Sequence, residues 1–221
     1  MGIAQNLSNL RQLIPSQVSI IAVSKTKPAS CILEAYNAGQ RKFGENKAQE
    51  LAIKHNELPK DIEWHFIGHL QKNKVKLISP FVRLIHSVDS LPILLEINKE
   101  AEKNHRIIDC LLQFHISKEM TKFGLNFQEA GDLLNSPSYT KLSGIRITGV
   151  MGMSSFSDDL QLIRQEFHTL KQYFDLLRSG FFKNSEDFNE ISMGMSGDFQ
   201  IAIEEGSTMV RIGTTIFGER H

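Results

Sequence analysis

The chain has 221 residues, and its 25 Lys plus Arg are balanced by 25 Asp plus Glu. Apolar residues make up 41% and charged residues 23%. That balance can bury a core and excludes disorder as the dominant state, while zero formal charge argues against electrostatic binding of nucleic acid. No apolar run approaches the roughly 20 residues of a membrane helix, and the start MGIAQNLSNL has neither the basic opening nor the long apolar run of a secretory signal.

Apolar runs of strand length alternate with helix-like stretches along the chain. The first run covers residues 19–25 (SIIAVSK), and its helix, CILEAYNAG, closes at Gly39. The second is 42–46 (KFGEN), followed by KAQELAIKHNEL; the third is 63–68 (EWHFIG), followed by KNKVKLI. The fourth, 82–88, precedes a helix with Pro92 in its first turn, a position that tolerates proline. The fifth is 108–117, with FQEAGDLLNS as its helix. The sixth is 146–155, and its long helix closes at Gly180. The seventh, 188–194, leads into GDFQIAIEEG, and the eighth is 209–218 (MVRIGTTIFG).

Alternation of this kind implies a parallel sheet covered by helices, and eight repeats predict a closed (β/α)₈ barrel of TIM type. An open doubly wound sheet is the alternative, weakened by the lack of GxGxxG after the first run. A single domain over 1–221 is expected, with 1–18 an N-terminal helical segment and the barrel starting at about 19.

Barrel chemistry gathers at the C-terminal ends of the strands. Lys25 ends the first run and shares a face with Ile21 and Val23. A buried lysine there loses charge stabilisation and becomes a nucleophile toward aldehydes; the alternative is a lysine that has left the strand for solvent, and Lys27 is a near neighbour. MGMSGD turns into a helix near Asp198, so the amides of Ser196, Gly197 and Asp198 are expected as anion donors. On the eighth run Arg211 and Gly213 share a face, and Thr214 offers an amide and a hydroxyl. Together these suggest a phosphate cradle; turn glycines and a serine N-cap are the alternative reading. GMSGD fails as a GxSxG nucleophile elbow, because Asp198 stands where the second glycine belongs. His65 and His69 lack HExxH spacing, Cys31 and Cys110 lack CxxC spacing, and no metal site is expected. Two cysteines make no disulfide framework, so a reducing, cytoplasmic setting is expected.

The stretches IAVSKTKP, FGENKAQE, WHFIGHLQKNK and SMGMSGDFQIAIEEGSTMVRIGTTIFGER resemble the pyridoxal phosphate homeostasis protein family, which is similar to the barrel domain of alanine racemase without its second domain. The resemblance runs from about Ser19 onward. It implies a barrel holding pyridoxal 5′-phosphate (PLP), with Lys25 as the Schiff-base lysine, Ser196, Gly213 and Thr214 on the phosphate, Arg211 facing the pyridine nitrogen and Asn46 lining the pocket. A cation at that nitrogen leaves the ring a weak electron sink, and none of Tyr36, Tyr139 and Tyr173 stands out as a second base. The expected function is PLP storage, buffering or delivery inside the cell without efficient catalysis. PLP-dependent apo-enzymes are expected as transient recipients, the chain as a monomer, and neither nucleic acid nor membrane as a partner.

Two other readings stand beside it. One is a PLP-dependent racemase or lyase of narrow scope, with His65, His69 or His115 relaying protons. The other is a barrel for a different phosphorylated metabolite, with Lys25 structural. The chain departs from the family at Lys47, at His115, in the loop 151–159 and in a short opening segment, where the first helix is expected to be truncated.

Overall fold

A computed structural model describes residues 2–118 and 123–219. Its elements in order are α1 (Ile3–Leu13), β1 (Ser19–Val23), α2 (Ala29–Asn37), β2 (Lys42–Glu45), α3 (Ala48–Glu57), β3 (Glu63–Phe66), a 3₁₀ turn (Lys72–Lys74), α4 (Val75–Ile78), β4 (Leu84–Val88) and α5 (Leu91–Lys103). There follow β5 (Ile108–Phe114), α6 (Phe127–Asn135), a second 3₁₀ turn (Tyr139–Lys141), β6 (Ile145–Gly152), α7 (Leu160–Gly180), β7 (Glu190–Met195), α8 (Phe199–Glu204), β8 (Met209–Ile212) and α9 (Thr214–Phe217). The eight strands close in sequence order, all parallel, with β8 pairing back onto β1.

Every strand was expected; several end sooner than their apolar runs. β1 stops at Val23, so Lys25 lies in the turn that follows rather than on the strand. β5 ends at Phe114 and β6 at Gly152. The eighth run divides: Gly213 turns the chain after Ile212, and TTIF becomes α9. An 11-residue helix, α1, occupies the opening segment. It is tied to the far end of the chain by the Asn6 amide, which donates to the Ile216 carbonyl at 3.0 Å.

Two apolar layers hold the barrel. The larger lies between strands and helices and includes Ala22, Phe43, Trp64, Phe66, Leu112 and Phe167. The smaller, Ile21, Leu84, Leu111, Met151 and Met209, fills the interior from five strands. Strand alternation puts successive residues on opposite faces, and Ile21 inside with Ala22 outside fixes that phase on β1. Helix ends follow local chemistry. Asn126 and Glu129 form a reciprocal capping box on α6, with bonds of 2.9 and 2.8 Å. Asp159 accepts the Gln161 and Leu162 amides at the start of α7. Among the described residues no helix is long and apolar enough to cross a membrane.

Candidate functional site: the C-terminal mouth of the barrel

The turn after β1 is built from distant parts of the chain. The Ser24 amide bonds the Gly44 carbonyl at 3.1 Å and the Lys27 amide bonds the Ser24 carbonyl at 3.0 Å. Between them Lys25 is half-buried. Thr26 sits at φ 66°, a left-handed conformation costly for a β-branched residue. It is held there by α3: Glu50 Oε1 accepts the Thr26 amide at 2.7 Å, and Lys54 Nζ donates to the Ser24 carbonyl at 2.8 Å. Lys54 also pairs with Glu45 Oε1 at 2.8 Å and Glu50 Oε1 at 2.7 Å, and Ser24 Oγ donates to Glu45 at 2.6 Å. Glu45 is 0% and Lys54 6% exposed. Burial pushes the Glu45 carboxyl above its ordinary range despite Lys54. Burial acts the same way on Glu50, yet its bonds to Lys54 and Thr26 outweigh it and hold that carboxyl low. Lys27 has a different role, donating to the Phe217 and Glu219 carbonyls at 3.0 and 2.9 Å and fastening the end of α9.

The structure brings the two expected halves of the phosphate cradle together. Ser196, half-buried after β7, has its Oγ 3.3 Å from the Gly213 amide and 3.5 Å from the Thr215 amide. Both are long, weak bonds, and a stronger oxygen acceptor can displace them. Thr214 opens α9 and is exposed; the amide that reaches Ser196 beside Gly213 belongs to Thr215, which sequence reasoning missed. Asp198 is corrected as a donor. Its amide is spent on the Met195 carbonyl at 3.1 Å, and its carboxylate braces the turn, accepting from the Met195 amide at 2.5 Å and Ser154 Oγ at 2.7 Å. The loop 151–159 thereby supports the cradle: Ser155 is pinned to Glu166 through its amide and hydroxyl, both at 2.6 Å. Gly194, at φ 94°, has no room for a side chain, since a Cβ would lie 2.6 Å from that of Ala202.

Asn46 follows β2, and its backbone is clamped by Gly68, where a Cβ would come within 2.3 Å of the Asn46 carbonyl oxygen. The Asn46 Oδ1 is buried without a hydrogen-bond partner among the described residues. Lys47, beside it, is an exposed N-cap of α3.

Arg211 points into the barrel and is 4% exposed. It donates to Ser192 Oγ at 2.6 Å and to the Gly152 carbonyl at 2.9 Å. Burial lowers its pKa to about 10, against the favourable field of Asp198, so it stays charged at neutral pH. Ser192 meets His86 Nδ1 at 2.9 Å, and His86 Nε2 meets His65 Nδ1 at 2.9 Å. Neither His86 nor Ser192 was singled out from the sequence.

His65 is therefore engaged inside the barrel. His69 pairs with Asp89 at 3.2 Å and stacks on Phe123. The His115 amide bonds the Leu125 carbonyl at 3.0 Å. The tyrosines lie on the outer layer: Tyr36 bonds Asp61, Tyr173 packs on Phe114 and Phe127, and Tyr139 packs against the strand–helix core. Among the described residues no group of three or more His, Cys, Asp or Glu is placed to hold a metal. An apolar groove of about 600 Å³, lined by Lys27, Lys47, Glu50, Ile53 and Lys54, runs behind the Lys25 turn and includes none of Lys25, Asn46, Ser196, Arg211, Gly213 and Thr214.

The mouth fits PLP on its own chemistry. It offers an amine, a hydroxyl with two adjacent amides suited to an oxyanion, an unpartnered buried amide oxygen, and a charged guanidinium.

Residues 2–221 match the family model described as alanine racemase, N-terminal domain. The pyridoxal phosphate homeostasis protein of Aquifex aeolicus is 39% identical over 203 residues, 91% of this chain and 86% of that one. Its Escherichia coli K12 counterpart is 36% identical over 232 residues, 99% and 97% of the two chains. Among solved structures, PipY of Synechococcus elongatus without PLP superposes with a TM-score of 0.91 at 34% identity, covering 98% of this chain and all of that one. The same protein with PLP bound gives 0.88. Alanine racemase of Bacillus anthracis, at 16% identity and a TM-score of 0.76, shares the barrel over 56% of its own length. The chain belongs to the alanine racemase N-terminal-domain family and, within it, to the pyridoxal phosphate homeostasis proteins.

Proposed function

We propose that residues 1–221 form one PLP-binding unit that works in the cytoplasm in PLP homeostasis, storing, buffering or delivering the cofactor without efficient turnover of amino acids. The observation that carries this reading is the convergence of Ser196 Oγ with the Gly213 and Thr215 amides beside the Lys25 turn and the buried Arg211.

Ser196, Gly213 and Thr214, joined by Thr215, would hold the phosphate. Asn46 would line the ring, and Arg211 would face its nitrogen. Lys25 would hold the cofactor through its amine, for which PLP, when bound, would supply a reactive aldehyde. Arg211 keeps its protons, and a cation at that position leaves the ring nitrogen unprotonated and the ring a weak electron sink. With Tyr36, Tyr139 and Tyr173 on the outer layer and His65 committed to His86, the mouth presents no tyrosine as a second base. The recipients are proposed to be PLP-dependent apo-enzymes, and the chain is proposed to act as a monomer.

Ser196→Ala tests the phosphate assignment. PLP affinity falls about tenfold, the loss of one hydrogen bond to a charged group, while pyridoxal, which lacks the phosphate, binds wild type and variant alike. Equal PLP affinities would contradict the cradle. Solvent deuterium at Cα, measured with PLP and each common amino acid, tests the absence of turnover: no exchange is expected, and sustained exchange with any one of them would make the chain an enzyme.

A further inference from the structure

Behind Arg211 on β8, the barrel interior carries a hydrogen-bonded file of side chains that the PLP reading does not use: Ser192, His86 and His65, from β7, β4 and β3. We propose that Ser192, His86 and His65 are positioning residues for Arg211, a chain whose bonds all run one way and fix the guanidinium in the interior with its remaining N–H groups free for a ligand at the mouth. The last step, that this ligand is PLP, rests on the function proposed above; the direction of the chain does not.

The direction follows from one end. A guanidinium only donates, so Ser192 Oγ accepts from Arg211 at 2.6 Å. The only other partner of that hydroxyl among the described residues is His86 Nδ1 at 2.9 Å. Its hydrogen therefore goes to His86, whose Nδ1 is bare and whose proton is on Nε2. That N–H donates to His65 Nδ1 at 2.9 Å, which places the His65 proton on Nε2 as well. Each member turns its acceptor atom toward the cation, so the aligned dipoles favour a charge that no carboxylate pairs with directly among the described residues. Both imidazoles must stay neutral for this to hold. Burial pushes His65 down to about 3, helped by Lys42 and Arg83, and pushes His86 well below its ordinary value, helped by His65 and Arg211.

The far end is distinctive too. His65 Nε2 is buried with no partner among the described residues, as is Thr148 Oγ1. Both residues line a cavity of about 180 Å³ at the N-terminal end of the barrel, rimmed by Lys42, Glu63, Arg83 and Asp109. A cavity of that size and polarity admits water, the acceptor that the His65 N–H needs. A histidine kept only for packing has no reason to leave its ring so directed.

The test begins with protein free of PLP. Long-range ¹⁵N–¹H spectra of the imidazoles at neutral pH are expected to show His86 and His65 neutral, both with the proton on Nε2. A proton on His86 Nδ1, or a charged ring on either, overturns the chain. In Ser192→Ala the His86 tautomer preference is lost, and in Ser192→Thr, which keeps the hydroxyl, it is retained; an unchanged tautomer in Ser192→Ala also overturns it. The PLP step is read separately. Ser192→Ala is expected to bind PLP about tenfold more weakly, as one charge-assisted bond to Arg211 is lost, with a shifted absorbance maximum of the bound chromophore that Ser192→Thr restores. Unchanged affinity and absorbance would remove the positioning role. Wild type that binds no PLP would sink the functional reading instead, and the tautomer result would stand by itself. Because the first spectra need only wild type, a variant that fails to fold does not spare the proposal.

Discussion

Lowering the pH from 7 to 5 is expected to cost the chain about 2 kcal/mol through His65, a ring that the unfolded chain protonates over that range and the folded chain does not, with a further loss of the same sign through His86. The sign follows from the depressed values. An unfolded imidazole titrates near 6.5, whereas His65 in the folded protein titrates at about 3 and His86 lies well below its ordinary value. Between those limits the unfolded state binds more protons, so stability rises with pH and is lost as pH falls. Half-buried His55, lowered by burial and Lys60, adds a smaller contribution of the same sign. The window from 7 to 5 lies above the range in which the lowered Glu50 begins to contribute, while the raised Glu45 acts against the histidines and offsets part of the loss. Urea midpoints at the two pH values measure the loss, and His86→Gln, which removes one of the two rings, is expected to reduce it. Midpoints that do not move would mean that the interior histidines open to solvent before the barrel unfolds.

Lys54→Met is the second large effect. It keeps an unbranched side chain in α3 but leaves Glu45, 0% exposed, with no cation. Breaking a buried pair from one side costs about 3–5 kcal/mol, because the remaining charge is uncompensated. Here the pH dependence takes the opposite sign. Without Lys54 the already raised Glu45 rises further, so the folded variant prefers the protonated form and its deficit shrinks as pH falls toward 5. A deficit independent of pH would show that Glu45 does not carry the cost. The same substitution removes the donor to the Ser24 carbonyl and the partner of Glu50, the residue that holds Thr26 at its positive φ. The Lys25 turn loosens, and PLP retention falls together with stability. In Glu50→Gln, which keeps an acceptor for the Thr26 amide, retention is largely preserved.

The barrel was legible because its parallel strands are apolar on both faces and each is followed by an amphipathic stretch. Strand ends were less so. TTIF reads as strand from its β-branched and aromatic residues, yet Gly213 turns the chain and the last turn packs beneath α1; tertiary contacts override local preference. The phase of Ile21 could be read from the alternation along β1, but the place of Lys25, in the turn beyond the strand, could not. The turn that carries it depends on Glu50 and Lys54, more than twenty residues downstream and on another element. Ser196, Gly213 and Thr214 were visible as glycine and hydroxyl signals at strand ends, whereas the Thr215 amide appears only once α9 is in place. The interior file was out of reach for the same reason. Its contacts join β3 to β4 and β7 to β8 across the barrel, and no local spacing links His65, His86, Ser192 and Arg211.

The measurement that bears most directly on the function is the absorbance spectrum of wild type and Lys25→Ala, each incubated with PLP, desalted and treated with borohydride. Wild type is expected to keep a PLP chromophore that borohydride bleaches and fixes covalently at Lys25, and Lys25→Ala, with its fold intact, to lose it. A wild type that emerges colourless, or a Lys25→Ala protein with the same reducible band, would contradict the account.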